Sequence, residues 1–370
     1  MSRPDVLILG GGIIGLACAR ELARAGHRVE VLERLEAGAE ASLAAAGMLA
    51  PLSESPVAGP FLEACQASRD LWVSWVPALE DEAGVALDYD THGALQIALG
   101  EEEERGLDAF AAAAEELGER VEEIDAATLR RWVPDVAPAA RRALRILGDH
   151  RIDNIQACAA LKVSAARQGV VLTYGFEAVE VEAGGSGVRV TGKGGETRKA
   201  GVLVLAAGAW SGQIPGLPHL PVRPVRGQML LLGGVEWPWK GSVRGPHAYA
   251  VRRGSTGLLV GATVEEAGFV AHTTVGGVQS LLAFTRRTLP GLEDAWLETS
   301  WAGLRPGTPD GLPILGFLPG SPVLAATGHF RNGVLLAPWT ARQVAALLAA
   351  GPAGAPPVEL APFSPARAWI

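Results

Sequence analysis

Val6-Leu7-Ile8-Leu9-Gly10-Gly11-Gly12-Ile13-Ile14-Gly15 is the stretch on which the reading of this chain turns. Four apolar residues in a row, Val6 to Leu9, predict a strand buried on both faces of a parallel sheet. Glycines at 10, 12 and 15 then follow with G-x-G-x-x-G spacing. Apolar positions at Ile14, Cys18, Leu22 and Ala25 predict a helix that Gly26 stops, and a second strand, Arg28 to Leu32, ends at Glu33. As a bare string the glycine motif is weak. Between a buried strand and a helix, with an acid ending the next strand, it predicts a dinucleotide site. Gly10 permits the tight turn, Gly12 lets the backbone approach a pyrophosphate, and Gly15 lets the helix pack closely on the strand. The free N–H groups at the helix start would face the diphosphate. Glu33 would accept hydrogen bonds from the adenosine ribose and repel a 2′-phosphate. Spacing alone does not separate FAD from NAD.

Composition bounds the rest. A chain of 370 residues, 48% hydrophobic and 19% charged, with 47 Gly and 25 Pro, carries enough apolar material for two lobes and many tight turns. Its net charge is −8 and it has no Lys/Arg-rich run, which argues against nucleic acid and against an anionic membrane surface as partners. Cys18, Cys65 and Cys158 are far apart, without metal-ligand spacing or a disulfide framework, so no metal site is expected and a reducing compartment fits. The stretch Arg3 to Ala19 has some signal-peptide character, but Asp5 and the glycines interrupt it. The apolar run near Val334 to Ala350 is broken by Pro338, Arg342 and Gln343, so no membrane span is expected and the reading is a soluble, cytoplasmic protein.

Further along, the Glu- and Ala-rich residues 101–118 predict a solvated helix, and Ile152 to Gln168 predicts another, ended by Gly169. Val179 to Gly195, with the turn Gly184-Gly185-Ser186-Gly187, reads as an antiparallel meander. Val202 to Leu205 reads as a second buried strand that runs into Ala206-Ala207-Gly208, where something must approach the backbone closely. Pro221 to about Trp301 is mostly strand-like, with one helix over Val278 to Thr288. The chain then returns to a strand, Val323 to Ala326, and an apolar helix reaching about Ala350, before a tail that begins at Pro356-Pro357.

Five segments, in order, carry a resemblance: GGGIIG at Gly10 to Gly15, AAAGMLAP at Ala44 to Pro51, LAAGAWSG at Leu205 to Gly212, WAGLRPGTPDGLPILG at Trp301 to Gly316, and GHFRNGVLLAP at Gly328 to Pro338. Together they resemble the glycine oxidase (ThiO-type) branch of the D-amino-acid oxidase superfamily over nearly the whole chain. The resemblance implies an α/β architecture, with a doubly wound Rossmann-type FAD-binding domain assembled from residues 1–86, 146–221 and 304–370. A largely antiparallel substrate domain would comprise 87–145 and 222–303. It also implies oxidative deamination of glycine, sarcosine and small D-amino acids, with hydride transfer to FAD, O₂ as acceptor and release of H₂O₂. The partners so implied are a small amino acid and O₂, with a homo-oligomer and a thiazole synthase receiving the imine as further candidates. FAD would be held non-covalently, because covalent-flavin relatives use a C-terminal cysteine and this chain has none beyond Cys158.

By the same resemblance the FAD contacts are Gly10, Gly12, Ile13, Ile14 and Gly15 at the turn, Glu33 and Arg34 at the ribose, and Ala41 and Ser42 beyond them. Ala46, Gly47 and Met48 follow at the ring, Ala178 near the adenine, and Ala207 and Gly208 at the second strand end. His329, Phe330, Arg331, Asn332, Gly333, Val334 and Leu335 would lie at the far edge of the flavin. An amino-acid oxidase must hold a carboxylate, and the planar fork of arginine does so through two parallel hydrogen bonds. Arg305, in the W-x-G-x-R-P segment, matches that role, with Tyr249 and Arg331 as further substrate-binding residues and no acid–base catalyst required. Val264 stands where some relatives place a longer methionine, which would alter the bulk accepted on the amine. A D-amino-acid or proline dehydrogenase reducing a quinone and a non-catalytic FAD-binding protein are the rival readings.

Overall fold

The structure, a computed structural model, describes residues 3–185, 187–354 and 357–369; Ser186 of the glycine turn and Pro356 of the tail lie outside them. Strand β1 (Val6–Leu9) is wholly buried, and its period of two divides it between two layers. Val6 and Ile8 enter a helical layer, while Leu7 and Leu9 face the other way. After β1 come helix α1 (Ile13–Arg24) and strand β2 (Val29–Leu32), the βαβ unit expected from the sequence.

The sheet built on this unit has the spatial order Ile314–Phe317, Val323–Thr327, Val202–Leu205, β1, β2, Val171–Thr173. All neighbours are parallel except the first pair. The chain moves outward from β1 on one side and then returns to pair Val202–Leu205 on the other. The strand order therefore reverses beside β1, and ligand crevices open beyond the carboxyl ends of strands at such a point. One face carries α1 and the helices Pro60–Ala83, Asn154–Arg167 and Gly333–Ala350. The other carries the meander Ala178–Gly184, Gly187–Gly192 and Thr197–Ala200.

Side-chain caps set where the two helices expected near Ile152 and Val278 begin. Ile152 belongs to a strand and the Asp153 carboxylate accepts the N–H groups of Ile155 and Gln156, so that helix begins at Asn154. Thr274 accepts the Gly277 N–H, which moves the start of the helix expected from Val278 forward to Val275. The helix Gly333–Ala350 corrects an expectation. It continues unbroken through Pro338, and with 18 residues and a mean hydropathy of 1.3 it is long and apolar enough to cross a membrane by length and composition. Here it is a core helix packed against α1 and Pro60–Ala83, with Val334 to Ala341 buried throughout. The N–H that Pro338 lacks leaves the Val334 carbonyl one turn earlier in need of a donor, and the neighbouring helix supplies it. Trp72 Nε1 donates to the carbonyls of Val334 and Leu335 at 3.2 and 3.1 Å, and Ser68 Oγ donates to that of Leu335 at 2.6 Å.

A second sheet of eight strands runs Trp296–Gly307, Arg223–Gly233, Gly257–Gly261, Tyr249–Arg253, Ser242–Arg244, Ala94–Ala98, Arg142–Ile146, Val121–Asp125. It is antiparallel except where Ser242–Arg244 meets Ala94–Ala98. Leu230, Leu232, Ala250, Leu258 and Val260 pack on its outer face, against Leu281 and Phe284. The alternate residues Met229, Tyr249, Val251 and Leu259 pack inward against Ala46 and Met48. Period-two alternation thus aims one row of side chains at the nucleotide-binding half.

Asp149 lies buried in the turn between the strands Arg142–Ile146 and His150–Ile152, its carboxyl group hydrogen-bonded by Ser53 Oγ. Burial dominates and pushes its pKa up to about 7, although the Ser53 bond and the Arg244 charge act in the opposite sense. The unfolded chain ionises this group near its ordinary 3.8 while the folded chain holds the proton, so its contribution to stability falls as pH rises between those values. Asp149→Asn should therefore gain stability relative to the parent chain on going from about pH 4 to about pH 8, as read in denaturation midpoints. A pH-independent difference would contradict this. At the first turn, a Cβ on Gly15 would lie 1.9 Å from the Gly10 carbonyl oxygen. Gly15→Ala is expected to cost about 3 kcal/mol in chemical denaturation; an unchanged midpoint would show that the helix can back away from the strand.

Candidate functional site

Two adjoining cavities open where the strand order reverses. With their open mouths included they span about 1090 Å³ and about 1070 Å³, and they share Gly12, Ala41, Ser42, Ala206 and Gly208 as walls. Main chain forms much of this shared wall. A Cβ on Gly10 would sit 2.3 Å from the Ala206 carbonyl oxygen, so the glycine turn is what approaches the backbone after Leu205 so closely. Gly12 is open by comparison: its Cβ would meet only Ser42 Oγ, at 3.2 Å. Ser42 Oγ accepts the Ile13 N–H at 2.9 Å and so satisfies one of the free donors at the start of α1. The Ser42 carbonyl in turn accepts from Asn154 Nδ2 at 2.7 Å.

The second cavity holds Gly10, Glu33, Arg34, Ala178 and Ala207. The Glu33 carboxylate is oriented by backbone, with Oε2 accepting from Gly11 N–H at 2.7 Å and Oε1 from Leu35 N–H at 2.8 Å. A carboxylate has about four lone-pair sites, so acceptor capacity for ribose hydroxyls remains. Arg34 pairs with Glu40 and lies 3.7 Å over the Trp210 ring, which closes one side of this chamber.

The first cavity gathers Ile13, Ile14, Ala46, Gly47, Met48, Tyr249, Arg305, His329, Phe330, Arg331, Gly333 and Val334. Three residues expected at the site stand behind its walls. Gly15 packs under Gly10, Asn332 is the residue just before the last helix, and Leu335 packs in the core. Val264 is 57% exposed and lines neither cavity, so its side chain is not a wall of the pocket. His329 is buried with Nε2 against Thr340 Oγ1 at 2.9 Å, and burial pushes its pKa down to about 3, which makes it a neutral ring. The Phe330 N–H donates to the Pro306 carbonyl at 3.0 Å and ties this loop to the strand that carries Arg305.

Arg305 is the unusual charge. Its guanidinium lies across Gly227 on the neighbouring strand, where a Cβ would fall 2.2–2.3 Å from Cζ and both Nη atoms. Nη1 donates to the Thr263 carbonyl at 3.0 Å, and among the described residues Arg305 has no carboxylate partner. Burial lowers its pKa from the ordinary value, yet an arginine remains charged. A planar cation that is half-buried, held by a hydrogen bond and short of an anion can receive one. Tyr249 is buried beside it, and desolvation raises its pKa, which keeps the phenol protonated. Its only acceptor among the described residues is the Met229 sulfur at 3.6 Å, a weak one that a carboxylate oxygen would displace.

Several residues here carry no signal in the sequence. Glu54 is 6% exposed and bridges two cations: Arg331 Nε lies 3.0 Å from Oε2, and Arg244 Nη2 lies 2.9 Å from Oε1. Its partners are remote in the chain, so only the fold reveals the pairing. Gly227 sits in an ordinary strand pattern, and its role follows from its register opposite Gly303, diagonal to Arg305. The small residues at Ala44 to Ala46 have a second cause: a Cβ on Gly303 would come within 2.4 Å of the Ala44 Cβ, and Trp301 Nε1 donates to the Ala44 carbonyl at 3.2 Å.

The two-chambered crevice fits FAD on this chain's own features. A glycine turn and helix start lie in its shared wall, an oriented acid stands in the nucleotide chamber, and small residues with open backbone face the other chamber. Residues 5–347 match the profile of the family described as DAO, FAD dependent oxidoreductase. The chain is 37% identical over 353 residues to the bifunctional protein ThiO/ThiG of Synechocystis sp., covering 93% of this chain and 51% of that protein. It thus spans about half the length of such bifunctional relatives. It is 34% identical over 371 residues to the glycine oxidase of Geobacillus kaustophilus, covering 99% of this chain and 97% of that one. The crystal structure of glycine oxidase from Geobacillus kaustophilus superposes with a TM-score of 0.91 at 34% identity over the whole of both chains. The chain belongs to the DAO family of FAD-dependent oxidoreductases, and FAD is its cofactor.

Proposed function

We propose that this protein oxidatively deaminates glycine, and with it sarcosine and small D-amino acids, using O₂ as the electron acceptor. The observation that carries the reading is Arg305, a half-buried guanidinium that lines the flavin-side cavity and, among the described residues, has no carboxylate partner. Glycine oxidases of nearly the same length are among the relatives, and the same geometry suits the smallest amino-acid carboxylate. One carboxylate clamp separates amines that differ by one methyl by only about 1–3 kcal/mol, so glycine and sarcosine should both be accepted.

When bound, FAD supplies the acceptor for a hydride and passes two electrons to O₂, which leaves as H₂O₂. The chain's own part is orientation. Arg305 takes the carboxylate in its fork, and the Tyr249 hydroxyl donates to a carboxylate oxygen, which leaves the α-carbon to face the flavin side. Loss of hydride from the α-carbon and a proton from nitrogen gives the imine, which water converts to the oxo acid and ammonia. No side-chain base is needed when the amine binds neutral. Glu54, the carboxylate that lines this cavity, is held by two arginines, and His329 is neutral and hydrogen-bonded to Thr340. The Arg331 charge at the mouth would favour an anionic reduced cofactor. Relatives in which ThiO is joined to ThiG support a further reading, that the imine passes to a thiazole synthase before water reaches it.

Peroxide formation with glycine, sarcosine, D-alanine and D-proline tests this directly. Glycine or sarcosine should give the highest kcat/KM, whereas dye reduction without O₂ uptake would point to a dehydrogenase. Arg305→Ala should raise the KM for glycine by at least about 100-fold while FAD stays bound; an unchanged KM would remove the clamp. Glu33→Ala should lower the FAD retained after dialysis and leave the far sheet folded. Undiminished flavin would show that Glu33 serves only the turn at Gly11.

A further inference from the structure

The peptide that receives Arg305 is held by a part-buried polar network, and this network carries a proposal. It rests on the reading of Arg305 as a carboxylate clamp. Beyond Gly261 the chain does not leave the sheet: Glu265 pairs with Arg226 in a two-way backbone bridge, N–H to carbonyl at 2.9 Å in each direction. Between them, the Thr263 N–H donates to the Gln228 carbonyl at 3.3 Å, and the Gln228 N–H donates to Thr263 Oγ1 at 2.9 Å. The Glu265 carboxylate collects the side chains around this segment. Oε1 accepts from Thr263 Oγ1 and from Gln228 Nε2, the latter at 2.7 Å, while Oε2 accepts from both Nε and Nη2 of Arg226. Gln228 is fully buried, and its Oε1 accepts the Thr274 N–H at 2.7 Å. Burial raises the Glu265 pKa, but the bonds from Thr263, Arg226 and Gln228 outweigh it and keep the group a carboxylate.

We propose that Glu265 is the positioning residue of the substrate clamp: it fixes the Thr263 peptide, whose carbonyl takes one N–H of Arg305 and so sets the direction of the fork. The physical need is specific. A carboxylate directly beside Arg305 would neutralise it and occupy the donors that substrate requires. A guanidinium with nothing to hold it would swing and lose the alignment on which a bidentate contact depends. Placing the acid one residue away, bonded to the hydroxyl of the residue that offers the carbonyl, orients the cation and leaves its outer edge free. Gly227 and Gln228 are consecutive, so the flat seat beneath the guanidinium and the hub of the network are built by one strand.

The test uses the FAD-loaded full-length protein and its Glu265→Ala, Glu265→Gln and Thr263→Val variants. Binding of glycolate, a non-reacting monocarboxylate, is read from the flavin absorbance, alongside glycine KM and kcat, FAD content and melting temperature. Glu265→Ala should weaken glycolate binding and raise the glycine KM by about 10-fold or more, with FAD content unchanged and kcat lowered much less. Glu265→Gln, which keeps an acceptor for Thr263, should recover much of the loss. Thr263→Val removes one hydroxyl, leaves the ion pair in place and should weaken glycolate several-fold; it decides the matter if Glu265→Ala does not fold. Unchanged glycolate affinity in the variants, or a loss that merely follows melting temperature and FAD content, would overturn the proposal. If the parent protein itself neither binds glycolate nor oxidises glycine, it is the proposed function that fails instead.

Discussion

A half-buried, partly desolvated guanidinium without an acid beside it is costly, and the structure around Arg305 is arranged to sustain that cost. Desolvation of a charge runs to several kcal/mol even after relaxation. Three features offset it here: a flat seat on Gly227, one hydrogen bond to the Thr263 carbonyl, and a phenol nearby in place of a carboxylate. Two other arginines, Arg331 on the cavity wall and Arg244 on the far side of Glu54, are treated differently. Arg331 and Arg244 share Glu54, so the electrostatic demand of the cavity is concentrated on one cation. On the proposed function, an arriving carboxylate would complete that cation's coordination.

The rest of the fold brings this cation to the nucleotide crevice. Reversal of strand order beside β1 opens a crevice at the carboxyl ends of the first sheet, and the glycine turn keeps the crevice wall down to main chain. The second sheet contributes through alternation: Met229 and Tyr249 point inward because Leu230 and Ala250 point outward into a core of their own. Contact between the halves is close-packed, with Gly303 against Ala44 and Trp301 bonded to the Ala44 carbonyl. A small displacement of either sheet would be felt at the clamp, because interiors packed this tightly yield little.

Much of this could be read from residue order, and the limits have physical causes. The βαβ unit was legible because its signals are local: an apolar run, glycines at fixed offsets, and an acid one strand on. The meander and the strand running into Ala206-Ala207-Gly208 were legible for the same reason. Arg305 and Tyr249 entered through the resemblance, and the structure places both in the cavity that Ala46 and Met48 line. Gly227, Glu54 and the Gln228–Glu265 network were illegible. Each depends on register between strands or on pairing across long stretches of chain, and periodicity contains neither. Pro338 misled for a related reason: the sequence marks it as a helix breaker, but whether Trp72 stands ready to serve the freed Val334 carbonyl is a tertiary fact.

The central claim is that a carboxylate completes Arg305 in the flavin-side cavity. A crystal structure of the FAD-loaded protein with glycolate tests it most directly. The account predicts the glycolate carboxylate within hydrogen-bonding distance of the Arg305 Nη atoms and the Tyr249 hydroxyl, with the Thr263 contact retained. Glycolate seated on Arg331 or Arg244 instead, with Arg305 turned away from the cavity, would contradict it.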